Sequence, residues 1–137
     1  MERQAVLMSL QPRFAAAVYS RSKRYEYRRC AVSFLPGTLI LIYESAPVSR
    51  VTGSFWSGYI RNPLVENFSS FEPNECIARS ISLYLTGARR ASAIEILDPI
   101  QFPQPIALNT LGVYRAPQSY CFLKEMQLGR IRDHLNP

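Results

Sequence analysis

The residues best suited to chemistry in this chain of 137 residues lie in one short stretch, SRSKRYEYRRC at positions 20–30. The stretch combines five basic side chains with two tyrosines and a single carboxylate, that of Glu26. Basic side chains neutralise phosphates, aromatic rings stack on unpaired bases, and a carboxylate accepts hydrogen bonds from base amines. This combination of residue types predicts a groove that binds nucleic acid.

The same stretch, taken as a β-strand, has no plainly apolar face. One face would carry Lys23, Tyr25, Tyr27 and Arg29. The other face would carry Arg24, Glu26, Arg28 and Cys30. Such a strand either lines a groove or is an ordinary edge strand blunted by charge, and the spacing alone favours neither alternative.

The charge of the whole chain favours a polyanionic partner. Sixteen basic residues against ten acidic ones give a net charge of +6 and a pI of about 9.5. A positive field of this kind attracts nucleic acids more readily than it attracts acidic proteins. With 47% hydrophobic and 19% charged residues, the composition is that of a globular protein, and the length predicts a single domain over residues 1–137.

The cysteines and the one histidine argue against a metal site. Cys30, Cys76 and Cys121 are widely spaced and form no CxxC pair, and His134 lies near the end of the chain. We therefore expect reduced, buried thiols, no metal and no cofactor. No apolar run has transmembrane length and the N-terminus lacks the features of a signal peptide, so the expected location is the cytoplasm, without a membrane partner.

The first half of the chain predicts strands on both sides of the basic stretch. Residues 5–11, AVLMSLQ, are typical of a buried strand. The run TLILIY at 38–43 is continuous and rich in β-branched residues, so we predict a central strand buried on both faces. Residues 48–61 predict a long strand that pairs with TLILIY and is bulged near Gly53 or Gly58.

Helices are expected over residues 12–20, 64–71 and 75–85 and in the tail after residue 125. Pro12 begins the first of them, because a missing N–H is harmless in the first turn. Further strands are predicted over residues 91–97 and 120–125, with an extended segment at 99–105 and one helical turn at 106–111 between them. The pair Asp98-Pro99 is expected to close the earlier strand.

The segment SLQPRFAAAVYSRSKRYEYRR resembles the signature of the ASCH family in the PUA-like superfamily, a strand and a helix followed by Gly-x-Lys-x-x-Glu-x-Arg. Lys23, Glu26 and Arg28 match the lysine, acid and arginine of this motif, and Arg21 stands where the glycine is expected. Similar to one branch of the family are LIYESAPVSRVTGSF at 41–55, ASAIEI at 91–96 with PIAL at 105–108, and APQSYCFL at 116–123. The resemblance implies an α+β fold, a curved, mostly antiparallel PUA-like β-barrel with surrounding helices and a cleft beside the motif.

The residue types and the resemblance together suggest which side chains bind the ligand in that cleft. They are Lys23, Arg24, Tyr25, Glu26, Arg28, Arg29, Ser45, Trp56, Gln118 and Ser119. The cations would neutralise phosphates, the aromatic rings would stack on a base, and Glu26 would accept from a base amine or hold its neighbouring cations in place. The expected partner is RNA or a single-stranded or modified nucleotide, with DNA as the alternative.

Several of these residues also have an ordinary structural explanation. Glu26 and Arg28 can form a weak exposed ion pair, and the tyrosines can belong to the edge of the core. Trp56 can be buried under the barrel, and Ser45 can cap a loop.

An enzymatic function is the second hypothesis. Some ASCH proteins are amidohydrolases of acylated cytidine and others are nucleases, so the resemblance would make Lys23 catalytic, with Glu26 or Glu75 as its partner. The amidohydrolase branch has a threonine where this chain has Glu26, and no Ser-His-Asp or Cys-His set replaces the missing hydroxyl. A third hypothesis is a regulator that meets another protein through its basic face.

Overall fold

The computed structural model describes residues 5–61 and 74–135, and the fold is a curled, six-stranded half-barrel with helices packed around it. The strands are β1 (Ala5–Leu10), β2 (Tyr25–Arg28), β3 (Leu39–Glu44), β4 (Arg50–Arg61), β5 (Ser92–Ile106) and β6 (Tyr120–Phe122). The helices are α1 (Pro12–Tyr19), α2 (Glu75–Leu85), a 3-10 turn (Leu108–Leu111), α3 (Glu125–Gly129) and α4 (Arg132–Leu135). The α+β, barrel-like fold expected from the sequence is confirmed. The helix predicted over 64–71 lies outside the described residues.

The sheet runs in the order β2-β5-β4-β3-β1-β6. Only the pair of β1 and β3 is parallel among the described strands, and the other four pairs are antiparallel. The ends of this order, β2 and β6, are therefore the two edges of the curled sheet. Each edge strand is short, with four and three residues respectively.

The predicted central strand is confirmed, because β3 pairs with β1 on one side and β4 on the other. Its residues from Leu39 to Ile42 are buried on both faces. Ile40 and Ile42 belong to one apolar cluster, which we call the first core and which also contains Phe14 and Phe55. The alternate residues of β3 belong to a second core on the opposite face, together with Leu111 and Ile131.

The bulged strand is also confirmed, since the register between β4 and β5 shifts near both Gly53 and Gly58. Gly53 has a steric reason to lack a side chain. A Cβ atom there would collide with the carbonyl oxygen of Ile100 and lie 2.5 Å from the hydroxyl of Tyr19. The close approach of α1 to the sheet therefore depends on this glycine.

The prediction that a strand ends at Leu97 is wrong, because β5 continues through Asp98-Pro99 to Ile106. Asp98 absorbs the local distortion with a φ of 49°. Prolines are tolerated here because the contact of β5 with β2 and the residue before it ends at Ile96, so from Pro99 onward β4 is the one described strand that pairs with β5. The predicted extended segment at 99–105 is thus part of the sheet.

The helices largely follow their predicted bounds. Helix α1 begins at Pro12 and α2 covers residues 75–85, with the side chain of Asn74 accepting from the N–H of Ile77 at 3.1 Å. Helix α1 buries Phe14, Ala15 and Val18, whereas Ala17 is only half-buried. The last strand stops at Phe122, three residues earlier than predicted, because α3 already begins at Glu125.

The three cysteines are free thiols, as predicted. Their predicted burial is wrong, since Cys30 and Cys76 are exposed and Cys121 is half-buried. Cys30 lies beyond the end of β2, where the chain has left the sheet. Among the described residues, no helix combines the length and apolar character needed to cross a membrane, and no group of three or more metal-ligating side chains comes together.

Candidate functional site

The turn between α1 and β2 sets up the site. Helix α1 ends at Tyr19, and Arg21 then adopts a φ of 62°, in the left-handed region that glycine favours. The motif that this segment resembles has a glycine at this position, and Arg21 adopts a backbone conformation that a glycine takes without strain. The turn places Lys23 just before β2, which begins at Tyr25.

Lys23, Glu26 and Arg28 form a buried ionic cluster, which we call the triad. Their side chains pair through the two oxygens of Glu26: Lys23 Nζ contacts Oε1, and Arg28 Nη1 lies 3.0 Å from Oε2. The residues are 4%, 2% and 5% exposed. The strand periodicity predicted Lys23 and Glu26 on opposite faces, which is wrong because Lys23 precedes the strand and is free to turn toward the glutamate. The exposed ion pair considered for Glu26 and Arg28 is likewise wrong, since the pair is buried.

Arg28 also joins the two edges of the curled sheet. Its Nη1 donates to the carbonyl oxygen of Ser9 on β1 at 3.2 Å, and its Nη2 donates to Ser119 Oγ at 2.9 Å. Ser119 directly precedes β6, and its carbonyl accepts from the N–H of Ser9 at 3.0 Å. We call this gap, between Arg28 of β2 and the pair Ser9 and Ser119, the seam. The Nε of Arg28 is buried and has no hydrogen-bond partner among the described residues.

A cavity of about 190 Å³ opens beside the seam. Its walls come from β1, α1, β2, α2 and the loops after β3 and before β6. The lining residues are Ser9, Leu10, Gln11, Phe14, Glu26, Arg28, Ser45, Tyr84 and Gln118. Glu26 is the one carboxylate among these lining residues, and Arg28 is the one cation.

Two aromatic side chains form the apolar wall of this pocket. Phe14 of α1 and Tyr84 of α2 meet edge to face, with ring centroids 5.8 Å apart. The ammonium of Lys23 lies 4.7 Å from the centroid of the Phe14 ring, so the triad and the aromatic wall are in direct contact. Burial raises the pKa of Tyr84, and the nearby Arg28 opposes this shift. Tyr84 is therefore a neutral hydrogen-bonding group at physiological pH.

Arg29 holds the α2 wall in place. Its Nη1 donates to the carbonyl oxygens of Tyr84 at 2.6 Å and Thr86 at 2.9 Å, at the C-terminal end of α2. A cation at this end of a helix satisfies free carbonyls and complements the helix dipole. Arg29 thus supports the pocket from outside without lining it.

The structure brings some of the predicted site residues to the pocket. Glu26, Arg28, Ser45 and Gln118 line it. Lys23 and Ser119 do not line the pocket but bond to residues that do, namely Glu26 and Arg28.

Other predicted residues lie elsewhere. Arg24 is exposed, and Tyr25 is half-buried against the first core. Trp56 packs against the second core, on the opposite face of the sheet from Phe14, so it does not reach the pocket. Glu75 begins α2, whereas Tyr84 lies near its other end, roughly 13 Å away along the axis. Glu75 therefore cannot partner Lys23 in this conformation.

Sequence reasoning missed five lining residues, which are Ser9, Leu10, Gln11, Phe14 and Tyr84. Four of them lie in the SLQPRF segment directly ahead of the basic stretch, where the strand-to-helix corner turns into the pocket. Tyr84 follows Ile77 and Ile81 at helical spacing, so the inward face of α2 was the signal that could have found it.

A second polar cluster lies beside β4, and we call it the hydroxyl chain. The hydroxyl of Tyr19 is 2.7 Å from Thr52 Oγ1, which in turn donates to Glu44 Oε1 at 3.2 Å. None of these three residues lines the pocket. Burial, and to a smaller degree the Glu44 carboxylate, raises the pKa of Tyr19.

No protein-family model and no curated protein matches the sequence. Solved structures do match. The structure of ASCH from Zymomonas mobilis is 26% identical, with a TM-score of 0.79 and 96% of each chain covered. A variant of that protein with phenylalanine in place of a tyrosine gives a TM-score of 0.78, over 96% of this chain and 98% of that one. A hypothetical protein from Leishmania major is similar in fold at 11% identity, with a TM-score of 0.63 over 96% of this chain and 94% of that one.

Proposed function

Because the chain has the fold of the ASCH family, we propose that the pocket at the seam binds one unpaired nucleotide, and that the protein is an RNA-binding or modified-nucleotide-binding protein. The observation that carries this proposal is the charge of the triad. Two cations share one carboxylate in a buried site that opens into a cavity. The result is a site with a net charge of +1 and a buried donor, Arg28 Nε, without a partner among the described residues.

An uncompensated buried cation is costly unless an anion or an acceptor meets it. A nucleotide phosphate supplies both the negative charge and the acceptor oxygens, and Arg binds such oxygens through several donors at once. The triad therefore favours an anionic ligand over a neutral one. Glu26 fixes the two cations in place, which was one of its two expected roles.

The size and lining of the pocket favour a single nucleotide. A cavity of about 190 Å³ is smaller than the ~300–1,000 Å³ typical of sites for drug-sized ligands, so it has room for no more than one nucleotide. The aromatic wall of Phe14 and Tyr84 offers apolar surface to a base, and Ser45 and Gln118 offer donors and acceptors to its edge. An unpaired nucleotide exposes the face and the Watson–Crick edge of its base, whereas stacking and pairing cover both in a duplex.

The hydrolase hypothesis requires Lys23 or Glu26 to activate water or a hydroxyl. The two groups are paired with each other, and Arg28 holds the second oxygen of the carboxylate. Lys23 does not line the pocket either. These contacts favour binding over catalysis.

The test is calorimetric binding of the four ribonucleoside monophosphates to the wild type and to Arg28→Gln. This substitution leaves the ion pair of Lys23 and Glu26 intact and makes the cluster neutral, so we expect mononucleotide affinity to fall by at least about tenfold, since one charge-assisted contact contributes ~1.5–3 kcal/mol. Gln118→Ala serves as a milder variant at the exposed rim and should change the preference among bases more than the affinity.

Undiminished binding by a folded Arg28→Gln protein would contradict the proposal. If that variant fails to fold, the absence of mononucleotide binding by the wild type contradicts it equally. An assay with acylated cytidine belongs beside these measurements. Turnover by the wild type that is lost in Lys23→Ala would favour the hydrolase hypothesis instead.

A further inference from the structure

A second group of cations lies next to the pocket, in the connection between α2 and β5. Residues 86–91 form this connection, which we call the arginine loop. Its two arginines, Arg89 and Arg90, are exposed, and within the described part of the chain neither forms a hydrogen bond or an ion pair. Exposed cations without carboxylate partners are available for an external anion.

Two contacts fix the course of this loop. At its start, Arg29 Nη1 donates to the carbonyl of Thr86 at 2.9 Å, and just past its end Ser92 Oγ donates to the carbonyl of Cys30 at 2.8 Å. The loop therefore runs alongside Arg29 and Cys30.

The same Arg29 nitrogen contacts the backbone of Tyr84, whose side chain lines the pocket. Three arginines, Arg29, Arg89 and Arg90, consequently lie on a continuous path that begins at the pocket wall. The three arginines are exposed, whereas Ala88 and Ala91 of the loop are half-buried.

We propose that Arg29 and the arginine loop bind the phosphodiester backbone of a single-stranded nucleic acid whose unpaired nucleotide occupies the pocket. This inference rests on the proposed function and extends it from a mononucleotide to a strand. A pocket large enough for one nucleotide leaves the neighbouring nucleotides outside, and the arginine loop is a cationic surface that continues from its wall. Contacts of this kind add affinity without sequence preference, because they reach phosphates rather than bases.

The experiment compares a mononucleotide with a hexaribonucleotide and a hexadeoxyribonucleotide, on the wild type and on the double variant Arg89→Gln/Arg90→Gln, across a salt series. The wild type should bind the hexaribonucleotide more tightly than the mononucleotide. The slope of log affinity against log salt is negative, and in the double variant it should become shallower by about 1.4, since each lost contact with a single strand contributes about 0.7. Mononucleotide affinity should be unchanged, because the pocket is intact.

The matched control is Arg130→Gln/Arg132→Gln, which removes the same charge from two exposed positions, directly after α3 and at the start of α4, two helices that pack on the second core. It should leave the salt slope for the hexaribonucleotide within about 0.3 of the wild-type value, well under one lost contact. Thermal melting checks that both double variants are folded, which the exposure of all four residues leads us to expect.

The outcomes separate the two proposals. If the mononucleotide binds but the hexanucleotides gain nothing, or if their gain survives in the arginine-loop variant, the inference about the loop is wrong and the pocket stands. If the arginine-loop and control variants lose the same salt dependence, the effect is net charge alone and the inference is again wrong. If the wild type does not bind the mononucleotide, the proposed function fails and this inference fails with it. A gain for the deoxyribose strand equal to that for the ribose strand would assign the loop to single strands of either sugar.

Discussion

The triad and the hydroxyl chain are two polar clusters built around a glutamate, and they differ in charge, burial and access to the pocket. Glu26 is almost completely buried and meets two cations, whereas Glu44 is half-buried and meets the neutral hydroxyl of Thr52. The triad carries an excess positive charge beside a cavity. The hydroxyl chain is a series of hydrogen bonds that runs from the half-buried phenol of Tyr19 through Thr52 to the half-buried carboxylate of Glu44.

This contrast indicates which polar groups are candidates for function. A chain of donors and acceptors that ends in a partly solvated carboxylate is satisfied internally and mainly fixes α1 against β4. The triad has unequal charges, and its buried donor Arg28 Nε has no partner within the part of the chain that the structure describes, so the cluster is not satisfied by those residues alone. A ligand of opposite charge would stabilise such a cluster. A charge imbalance next to a cavity is therefore the more informative indication of function.

The largest expected effect comes from removing the carboxylate at the centre of the triad. Glu26→Gln leaves Lys23 and Arg28 buried without a counter-charge, so we expect the free energy of unfolding to fall by about 3–5 kcal/mol. Urea unfolding at neutral pH measures this change. The matched substitution in the hydroxyl chain, Glu44→Gln, keeps an oxygen that accepts from Thr52 and should cost less than about 1 kcal/mol. Equal losses in the two variants would show that the clusters do not differ as described.

The second largest loss of stability is expected from a methyl group at Gly53, where it would press on Tyr19 of the hydroxyl chain. Gly53→Ala forces the new Cβ against the carbonyl of Ile100 and the ring of Tyr19, so α1 or β5 has to move. We expect a loss of about 1–3 kcal/mol in the free energy of unfolding, as is usual for overpacking. Gly129→Ala is the control, because its Cβ would meet nothing within 4 Å. A Gly53→Ala protein as stable as the control would show that the close approach of α1 carries no constraint.

The smallest expected effect is the loss of the phenol that begins the hydroxyl chain. Tyr19→Phe removes one partly buried hydrogen bond, so the free energy of unfolding at neutral pH should fall by about 1 kcal/mol. Urea unfolding measures it. Thr110→Val, an exposed hydroxyl outside both clusters, should change it by less than about 0.5 kcal/mol.

The same tyrosine also makes a prediction about alkaline pH. Burial raises the pKa of Tyr19 in the folded protein above its unfolded value, so the folded state keeps a proton that the unfolded state loses above about pH 10. Its contribution to stability is therefore complete below that pH and lost as the pH rises toward the folded pKa, at up to about 1.4 kcal/mol per pH unit. Tyr19→Phe should flatten this part of the stability curve. A wild-type curve and a Tyr19→Phe curve that fall in parallel between about pH 10 and pH 11 would contradict the assignment.

Local patterns in the sequence predicted the backbone framework well. The continuous, β-branched run TLILIY predicted a buried strand, and the helix at 75–85 was predicted with the bounds that it has in the structure. The family motif also identified the members of the triad. These signals are local, so they do not depend on how distant segments meet.

The parts that the sequence did not predict depend on long-range contacts. The prolines after Asp98 indicated the end of a strand, because nothing local shows that one side of β5 lacks a neighbour. Periodicity separated Lys23 from Glu26, because it cannot show that β2 begins after the lysine. Trp56 was assigned to the ligand on residue type alone, and the alternation of β4 turns it toward the second core.

The prolines of β5 have a consequence for how molecules of this protein meet one another. Beyond Ile96, whose N–H donates to the carbonyl of Arg24 at 2.9 Å, this strand pairs with no described strand on one side, and it is the longest strand in the sheet. An open edge of that length would ordinarily offer a template for cross-molecular strand pairing and amyloid-like growth. Pro99, Pro103 and Pro105 remove amide donors at intervals along it. An incoming strand would lack backbone N–H donors at these three positions, so the edge is open but pairs poorly with a second molecule.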